Sequence, residues 1–211
     1  MNNVDDFYEN GFLVIDDFLD ESRSSELLNR FKKVNSWDRV DQERDHYKKD
    51  GPFEMSSKYF PSNDEKYYLQ GWRAKELEND TGWKKDFREI FISKIEKLFE
   101  NTVNIDTTYI LKYCKNDFSR IHVDDLRGEV DRVDISILYY LCDQWIWDWG
   151  GILMLAKNTN SEDMEAIMPK NNRIIFINNQ MKLPHCVTPV AKYAKNDRYA
   201  IASFIGCSKP F

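Results

Sequence analysis

The sequence predicts a mainly β protein with flanking helices, built on a jelly-roll (double-stranded β-helix) core. Two observations carry that expectation. From about residue 105 onward the chain breaks into eight short β-rich runs separated by turn residues: TTYILKY, SRIHVD, VDISILYYL, GGILML, EAIMP, NRIIFIN, HCVTPV and RYAIASFI. Strands that short and that regularly spaced point to an antiparallel sandwich or barrel. Upstream of them lie two amphipathic stretches of helical period, suited to covering a sheet.

Each element has a local reason. Gly11 to Ile15 (GFLVI) is an apolar run of strand length. Asp20 and Ser22 are helix-start residues, and Leu27, Leu28, Phe31 and Val34 follow on one face. A second helix is expected from near Thr81, with Trp83, Phe87, Ile90, Phe91, Ile95 and Leu98 at three- and four-residue spacing. Residues 38–71 mix charge, Gly, Pro and Tyr without a period and read as loop-rich, in the position of a lid. No repeat or Pro/Gly-rich linker divides the 211 residues, which fit one domain: a lead-in over 1–104 and a catalytic jelly roll over 105–206.

Composition narrows the function. Thirty basic against 36 acidic residues leave a net charge of −6, without the basic field that nucleic-acid or membrane-surface binding needs. The acidic start MNNVDDFYENG lacks the basic and apolar regions of a signal peptide, so the expected location is the cytoplasm. Cys114, Cys142, Cys186 and Cys207 are scattered in apolar contexts and read as reduced, mostly buried thiols. Histidine is scarce: only His46, His122 and His185 occur, and His46 sits in a charged, solvent-type context.

His122 and Asp124 form His-x-Asp on a strand, where residues i and i+2 point to one face. With His185 from another strand they make two imidazoles and one carboxylate, the facial set of non-haem Fe(II) oxygenases, which leaves three coordination positions open. A bare His-x-Asp is also the pattern of a surface hydrogen-bonded couple. Thirteen residues beyond His185, Arg198 opens Arg-Tyr-Ala-Ile on an adjoining strand. An inward-facing Arg is costly without an anion, and its planar fork fits a carboxylate. The bland alternative is a surface salt bridge.

Taken together, residues from Tyr113 to about Phe204 resemble the Fe(II)- and 2-oxoglutarate-dependent dioxygenases of the prolyl 4-hydroxylase type. The matching segments, in order, are Tyr113, nine residues before His122; His122-Val-Asp124; Ile137-Leu-Tyr-Tyr-Leu141; Trp149-Gly-Gly-Ile-Leu153; Asn172-Arg-Ile-Ile-Phe176; Pro184-His185; Val187; and Arg198-Tyr-Ala-Ile201. GFLVIDDFL and its following helix resemble the superfamily's lead-in. The resemblance implies that His122, Asp124 and His185 ligate Fe(II), and that Arg198 and Tyr140 hold the distal carboxylate of 2-oxoglutarate, with Tyr113 reaching toward the cosubstrate. O2 would be the oxidant, with ascorbate as a stimulant. The implied reaction is hydroxylation of an unactivated C–H of an amino acid or amino-acid residue, proline-type favoured, releasing succinate and CO2. Retention of the Asp124 carboxylate disfavours the related halogenation, which needs a small residue there. The alternatives are tailoring of a natural-product small molecule and a non-catalytic jelly-roll binder of metal or ligand. The expected partner is a small molecule or peptide. As substrate contacts, Arg127 in the charged run 125–132 and Trp147 in the Trp145/Trp147/Trp149 series are candidates, the Trp series also reading as packing.

Overall fold

The computed structural model describes residues 4–43, 67–124, 133–157 and 163–209. In chain order the elements are α1 (Asp5–Glu9), β1 (Phe12–Ile15), α2 (Glu21–Lys32), β2 (Asp38–Glu43), β3 (Tyr67–Arg73), α3 (Lys75–Asn79), α4 (Thr81–Phe87) and α5 (Ser93–Phe99). They continue through β4 (Val103–Tyr113), β5 (Phe118–His122), β6 (Ile135–Leu141), β7 (Leu153–Ala156), β8 (Met164–Ile167), β9 (Arg173–Asn178), β10 (His185–Val187) and β11 (Arg198–Cys207). All eight runs expected from residue 105 onward are strands, β4 to β11.

Eleven strands form one antiparallel, curled sheet in the order β1-β9-β6-β11-β4-β3-β5-β10-β7-β8, with β2 paired to β3 beside that path. Two four-stranded runs, β9-β6-β11-β4 and β5-β10-β7-β8, are the two halves of the jelly roll, and β3 pairs with the edge of each. Apart from the consecutive pair β7–β8, the neighbours within each half are strands distant in sequence, the crossover pattern of a jelly roll.

Strand β6 is buried along both faces, as a central strand must be. Its odd residues Ile135, Ile137, Tyr139 and Leu141 join the helices in the larger core with Phe31, Trp83, Phe87 and Phe91. Phe91 meets Tyr139 edge-on at 4.9 Å and stacks on Phe87 at 5.0 Å. Tyr140 and Leu138 belong to a second cluster inside the roll, with Leu153, Leu155, Ile175 and Val187. Asn172, in the left-handed region at φ 64°, ties the lead-in to the roll: its side chain accepts from Leu19 N (2.8 Å) and Tyr139 Oη (2.8 Å) and donates to Leu19 O (2.7 Å).

The expected helix from Thr81 is interrupted by one π turn at Arg88–Ile92. That extra residue rotates the stripe, so Ile92 and Phe99 are buried where the spacing pointed to Ile90 and Leu98, which pack only at the edge. Residues 38–71 are corrected too: both ends are strands, β2 and β3, in register from Asp38↔Arg73 to Gln42↔Leu69 with a shift before Glu43↔Tyr67, while 44–66 lie outside the described residues. Of the four free thiols, Cys142 and Cys207 are buried and Cys114 and Cys186 half-buried.

Candidate active site

Strands β5 and β10 lie side by side with His122 directly opposite His185, which sends both imidazoles to one face of the roll, ring centres 4.2 Å apart. Asp124, two residues past His122, reaches both: its oxygens lie 3.5 Å from His122 Nε2 and 3.4 Å from His185 Nε2. The three ligand atoms fall within 4.8 Å of one another, a group able to hold a metal ion. The other ring nitrogens are occupied. His122 Nδ1 meets Arg120 O at 2.7 Å and His185 Nδ1 meets Leu183 O at 3.1 Å. A carbonyl accepts only from N–H, so both rings carry a proton on Nδ1 and turn Nε2 toward the site, the orientation metal ligation requires.

Electrostatics here are those of a compact buried cluster. Burial and the facing His185 push His122 down to about 4, against the pull of Asp124. For His185 burial also lowers the pKa, but the Asp124 carboxylate and the Leu183 carbonyl outweigh it and raise it above the ordinary value. Burial would raise Asp124; His185, His122 and a hydrogen bond from Ser136 hold it well below the usual carboxylate range instead.

Arg198 starts β11 opposite Tyr113 on β4, and is 1 % exposed. Its guanidinium carbon lies 4.5 Å from the centre of the Tyr140 ring and 4.9 Å from that of Tyr113. Among the described residues, Nε and Nη2 of Arg198 and the hydroxyl of Tyr140 are buried and have no hydrogen-bond partner. Three donors left unsatisfied side by side, two of them on one cation, are costly in a folded protein and are the complement of an anionic oxygen ligand. Burial pushes Tyr113 up to about 12, the nearby guanidinium opposing. Gly151, at φ 64°, passes so close that a Cβ would stand 3.2 Å from Arg198 Cδ.

A cavity of about 260 Å³ opens beside the His–Asp–His group and extends to Tyr113. Its outer wall includes Tyr68, Trp72, Tyr109 and Phe204, with Arg73, whose guanidinium lies 4.0 Å over the Tyr109 ring and is anchored by the buried carboxylate of Glu78.

Six of the eight candidate residues thus stand in and around one barrel interior. Trp147 does not: it is 72 % exposed on the turn Trp147–Trp149 and is not among the residues that line the cavity, whereas Trp145 and Trp149 pack together at 5.4 Å. Arg127 and His46 lie outside the described residues. Sequence reasoning passed over Ser136, Trp72 and Arg73. Ser136 had a signal, because it is the polar member of the alternating set Ser136, Leu138, Tyr140.

A protein-family model described as the 2OG-Fe(II) oxygenase superfamily matches residues 108–206, the stretch that carries all of this chemistry. Residues 108–206 belong to that superfamily. The protein is accordingly a 2-oxoglutarate-dependent dioxygenase, and the family implies Fe(II), 2-oxoglutarate and O2. Among solved structures, a prolyl hydroxylase from Trichoplax adhaerens, in complex with a hypoxia inducible factor oxygen degradation domain peptide fragment, superposes at TM-score 0.65 and 20% identity, covering 96% of this chain and 86% of that one. A prolyl-4-hydroxylase from Pseudomonas putida gives TM-score 0.64 at 15% identity, over 96% and 95%. SnoN, a non-heme alpha ketoglutarate dependent epimerase from nogalamycin biosynthesis, gives 0.61 at 10%, over 95% and 80%. At these identities the likeness is one of fold. No curated protein matches the chain. Among the described residues no helix is long and apolar enough to cross a membrane.

The donor set fits the family's metal and cosubstrate. Two imidazoles and one carboxylate suit Fe(II), and the orphaned Arg198–Tyr140 donors fit a carboxylate.

Proposed function

We propose that the protein hydroxylates an unactivated C–H of an amino acid or amino-acid residue, proline-type favoured, with His122, Asp124 and His185 holding Fe(II). The observation that carries this reading is the pairing, in one roll, of the His–Asp–His group with a buried, unpartnered Arg198–Tyr140 couple. Fe(II) with 2-oxoglutarate and O2 supplies the oxidising power for C–H hydroxylation, with succinate and CO2 as co-products.

The chain's own residues do the positioning. Arg198 and Tyr140 take the distal carboxylate of 2-oxoglutarate by charge-assisted hydrogen bonds, and Tyr113, across from Arg198 in the sheet, closes the cosubstrate's side of the cavity. Nδ1–H bonds to Arg120 O and Leu183 O keep the two imidazoles from rotating. The aromatic outer wall of Tyr68, Trp72, Tyr109 and Phe204 suits a flat apolar ring such as a pyrrolidine, and keeps bulk water off the reacting carbon. The prolyl hydroxylase folds among the structural neighbours support the choice of proline over other side chains.

The test is anaerobic addition of Fe(II) and 2-oxoglutarate, which is expected to give a visible metal-to-ligand charge-transfer band. O2 and ascorbate are then admitted with prolyl peptides, free proline and other free amino acids, and succinate is measured. His185→Ala is expected to abolish the band. A folded wild-type protein with no band would refute the metal and cosubstrate assignment, and a band with succinate formed only on a substrate without an amino-acid unit would refute the substrate class.

A further inference from the structure

Arg73 is the one lysine or arginine among the described residues that line the cavity, and so the one permanent cation there for a substrate oxygen to meet. Its guanidinium lies flat over the Tyr109 ring, and Glu78 takes its side edge: Nε donates to Oε1 at 3.1 Å and Nη2 to Oε2. Glu78 is 8 % exposed, and the same Oε1 accepts from Ile110 N at 2.8 Å. Ala74, next to Arg73 in the chain, donates its N–H to Ile110 O at 3.1 Å. Both backbone groups of one β4 residue thus clamp the segment from Arg73 to Glu78, which fixes the guanidinium against the cavity.

A guanidinium presents five N–H donors in a rigid fork. Glu78 occupies the Nε–Nη2 edge. The other edge, Nη1 with the second N–H of Nη2, has no partner among the described residues. Trp72, on the same wall, adds a buried Nε1–H that also has no partner among them. Donors outnumber acceptors on this wall, which is the complement of a substrate oxygen.

Charge decides which oxygen. Arg73 and the buried Glu78 carboxylate cancel, so the pair offers hydrogen bonds without a net charge. A substrate carboxylate on the open edge would put two anions on a single cation in a half-buried site, and would give up its hydration for no net attraction. An amide carbonyl has no charge to desolvate and accepts from the same fork.

We infer that Arg73, neutralised and positioned by Glu78, takes the carbonyl of the reacting residue as an uncharged amide, so that the site selects an amino-acid residue within a peptide over the free amino acid. The inference rests on the amino-acid substrate reading above.

Anaerobic calorimetric titration of the protein loaded with Fe(II) and 2-oxoglutarate tests it. The probes are N-acetylproline N-methylamide and N-acetylproline, in which a carboxylate replaces the second amide. Wild type is expected to bind the amide about 10-fold or more tightly than the acid, the worth of one hydrogen bond to a charged group. Glu78→Gln keeps an acceptor for Ile110 N and removes the negative charge, and is expected to bring the acid level with the amide or past it. The double variant Arg73→Met/Glu78→Gln is expected to weaken amide binding about 10- to 100-fold and to bind the two probes alike. A wild type that prefers the acid overturns the inference, as does a wild-type ratio in Glu78→Gln or full amide affinity in the double variant. Should these variants fail to fold by circular dichroism, Arg73→Lys decides, since it keeps the ion pair and lacks the open fork: undiminished amide affinity overturns the inference. A wild type without the charge-transfer band overturns the metal and cosubstrate assignment, and one with the band that binds neither probe overturns the proline-type substrate, each a different failure.

Discussion

Replacing Arg198 by Met separates a binding arginine from a structural one. Arg198 is buried, and among the described residues no carboxylate pairs with it. Its unpartnered Nε and Nη2 each cost about 1–3 kcal/mol in the ligand-free protein. The two tyrosine rings, at 4.5 and 4.9 Å from the guanidinium carbon, return a comparable amount, about 1–2 kcal/mol each when desolvated. Those opposing contributions nearly cancel, so Arg198→Met, of similar length and apolar, is expected to change ligand-free stability by no more than about 1 kcal/mol. Breaking a structural buried ion pair would cost about 3–5 kcal/mol. The 2-oxoglutarate increment behaves differently. At a thousandfold excess over Kd a ligand adds about 4 kcal/mol to stability, and a hundredfold loss of affinity cuts that to about 1.4 kcal/mol at the same concentration. Urea denaturation of the Mn(II)-loaded protein, with and without 2-oxoglutarate, measures both quantities. A loss of 3 kcal/mol or more without ligand, together with an intact 2-oxoglutarate increment, would falsify the assignment and make Arg198 part of the scaffold.

Two further outcomes concern the junction between lead-in and roll. Asp16 accepts two bonds from Arg173 (2.6 and 3.0 Å) and one from Lys170 (2.9 Å), and these partners bring it down to about 2 against the effect of burial. A carboxylate whose folded pKa is depressed stabilises above its unfolded pKa and loses that contribution as pH falls through the folded one. Asp16→Asn is therefore expected to cost about 0.5–1 kcal/mol at pH 7, a figure scaled down for an exposed pair, with the difference from wild type fading between about pH 4 and pH 2 in urea midpoints. A difference that persists at pH 2 would assign the effect to packing. Asn172→Ala deletes three buried side-chain hydrogen bonds and puts a Cβ-branchless but left-handed-averse residue at φ 64°, and is expected to destabilise by about 3 kcal/mol or more. A loss below about 1 kcal/mol in the same assay would mean that Leu19 and Tyr139 find other partners.

What could be read from the residues, and what could not, divides along a physical line. Strands β4 to β11 announce themselves because each is an apolar run cut off by turn residues, and the helices because their apolar faces recur at helical spacing. His122 and Asp124 are legible as a same-face pair, and Arg198 by the cost of burying a cation. β2 and β3 are not legible: DRVDQE is almost wholly polar and YYLQGWR contains a glycine and no alternation. Their pairing draws on contacts formed only in three dimensions, such as the Arg39 guanidinium 5.2 Å over the Trp72 ring and its ion pair with Asp117. The π turn escapes for a related reason, since one inserted residue leaves the composition of a helix intact and changes only which side chains face inward. Trp147 shows the reverse case, in which a residue type suited to a binding wall sits on a turn that exposes it to solvent.

The place of β3 ties the part of the chain outside the family match to the chemistry inside it. β3 pairs with β4 through Trp72↔Lys112 and with β5 through Leu69↔Ser119, so it spans the gap between the two halves of the roll at the cavity. The metal-type cluster and Arg198 come from residues within 108–206, but Tyr68, Trp72 and Arg73 of the outer wall come from β3, before that stretch begins. Arg73 is itself fixed by Glu78 on α3, whose carboxylate also accepts from Ile110 N of β4 at 2.8 Å. The lead-in is thus built into the cavity through the sheet and not merely packed on its outside. The outer wall is accordingly shared: Tyr68, Trp72 and Arg73 stand on β3, ahead of the matched stretch, and Tyr109 and Phe204 stand within it, on strands β4 and β11 beside the Arg198–Tyr140 couple.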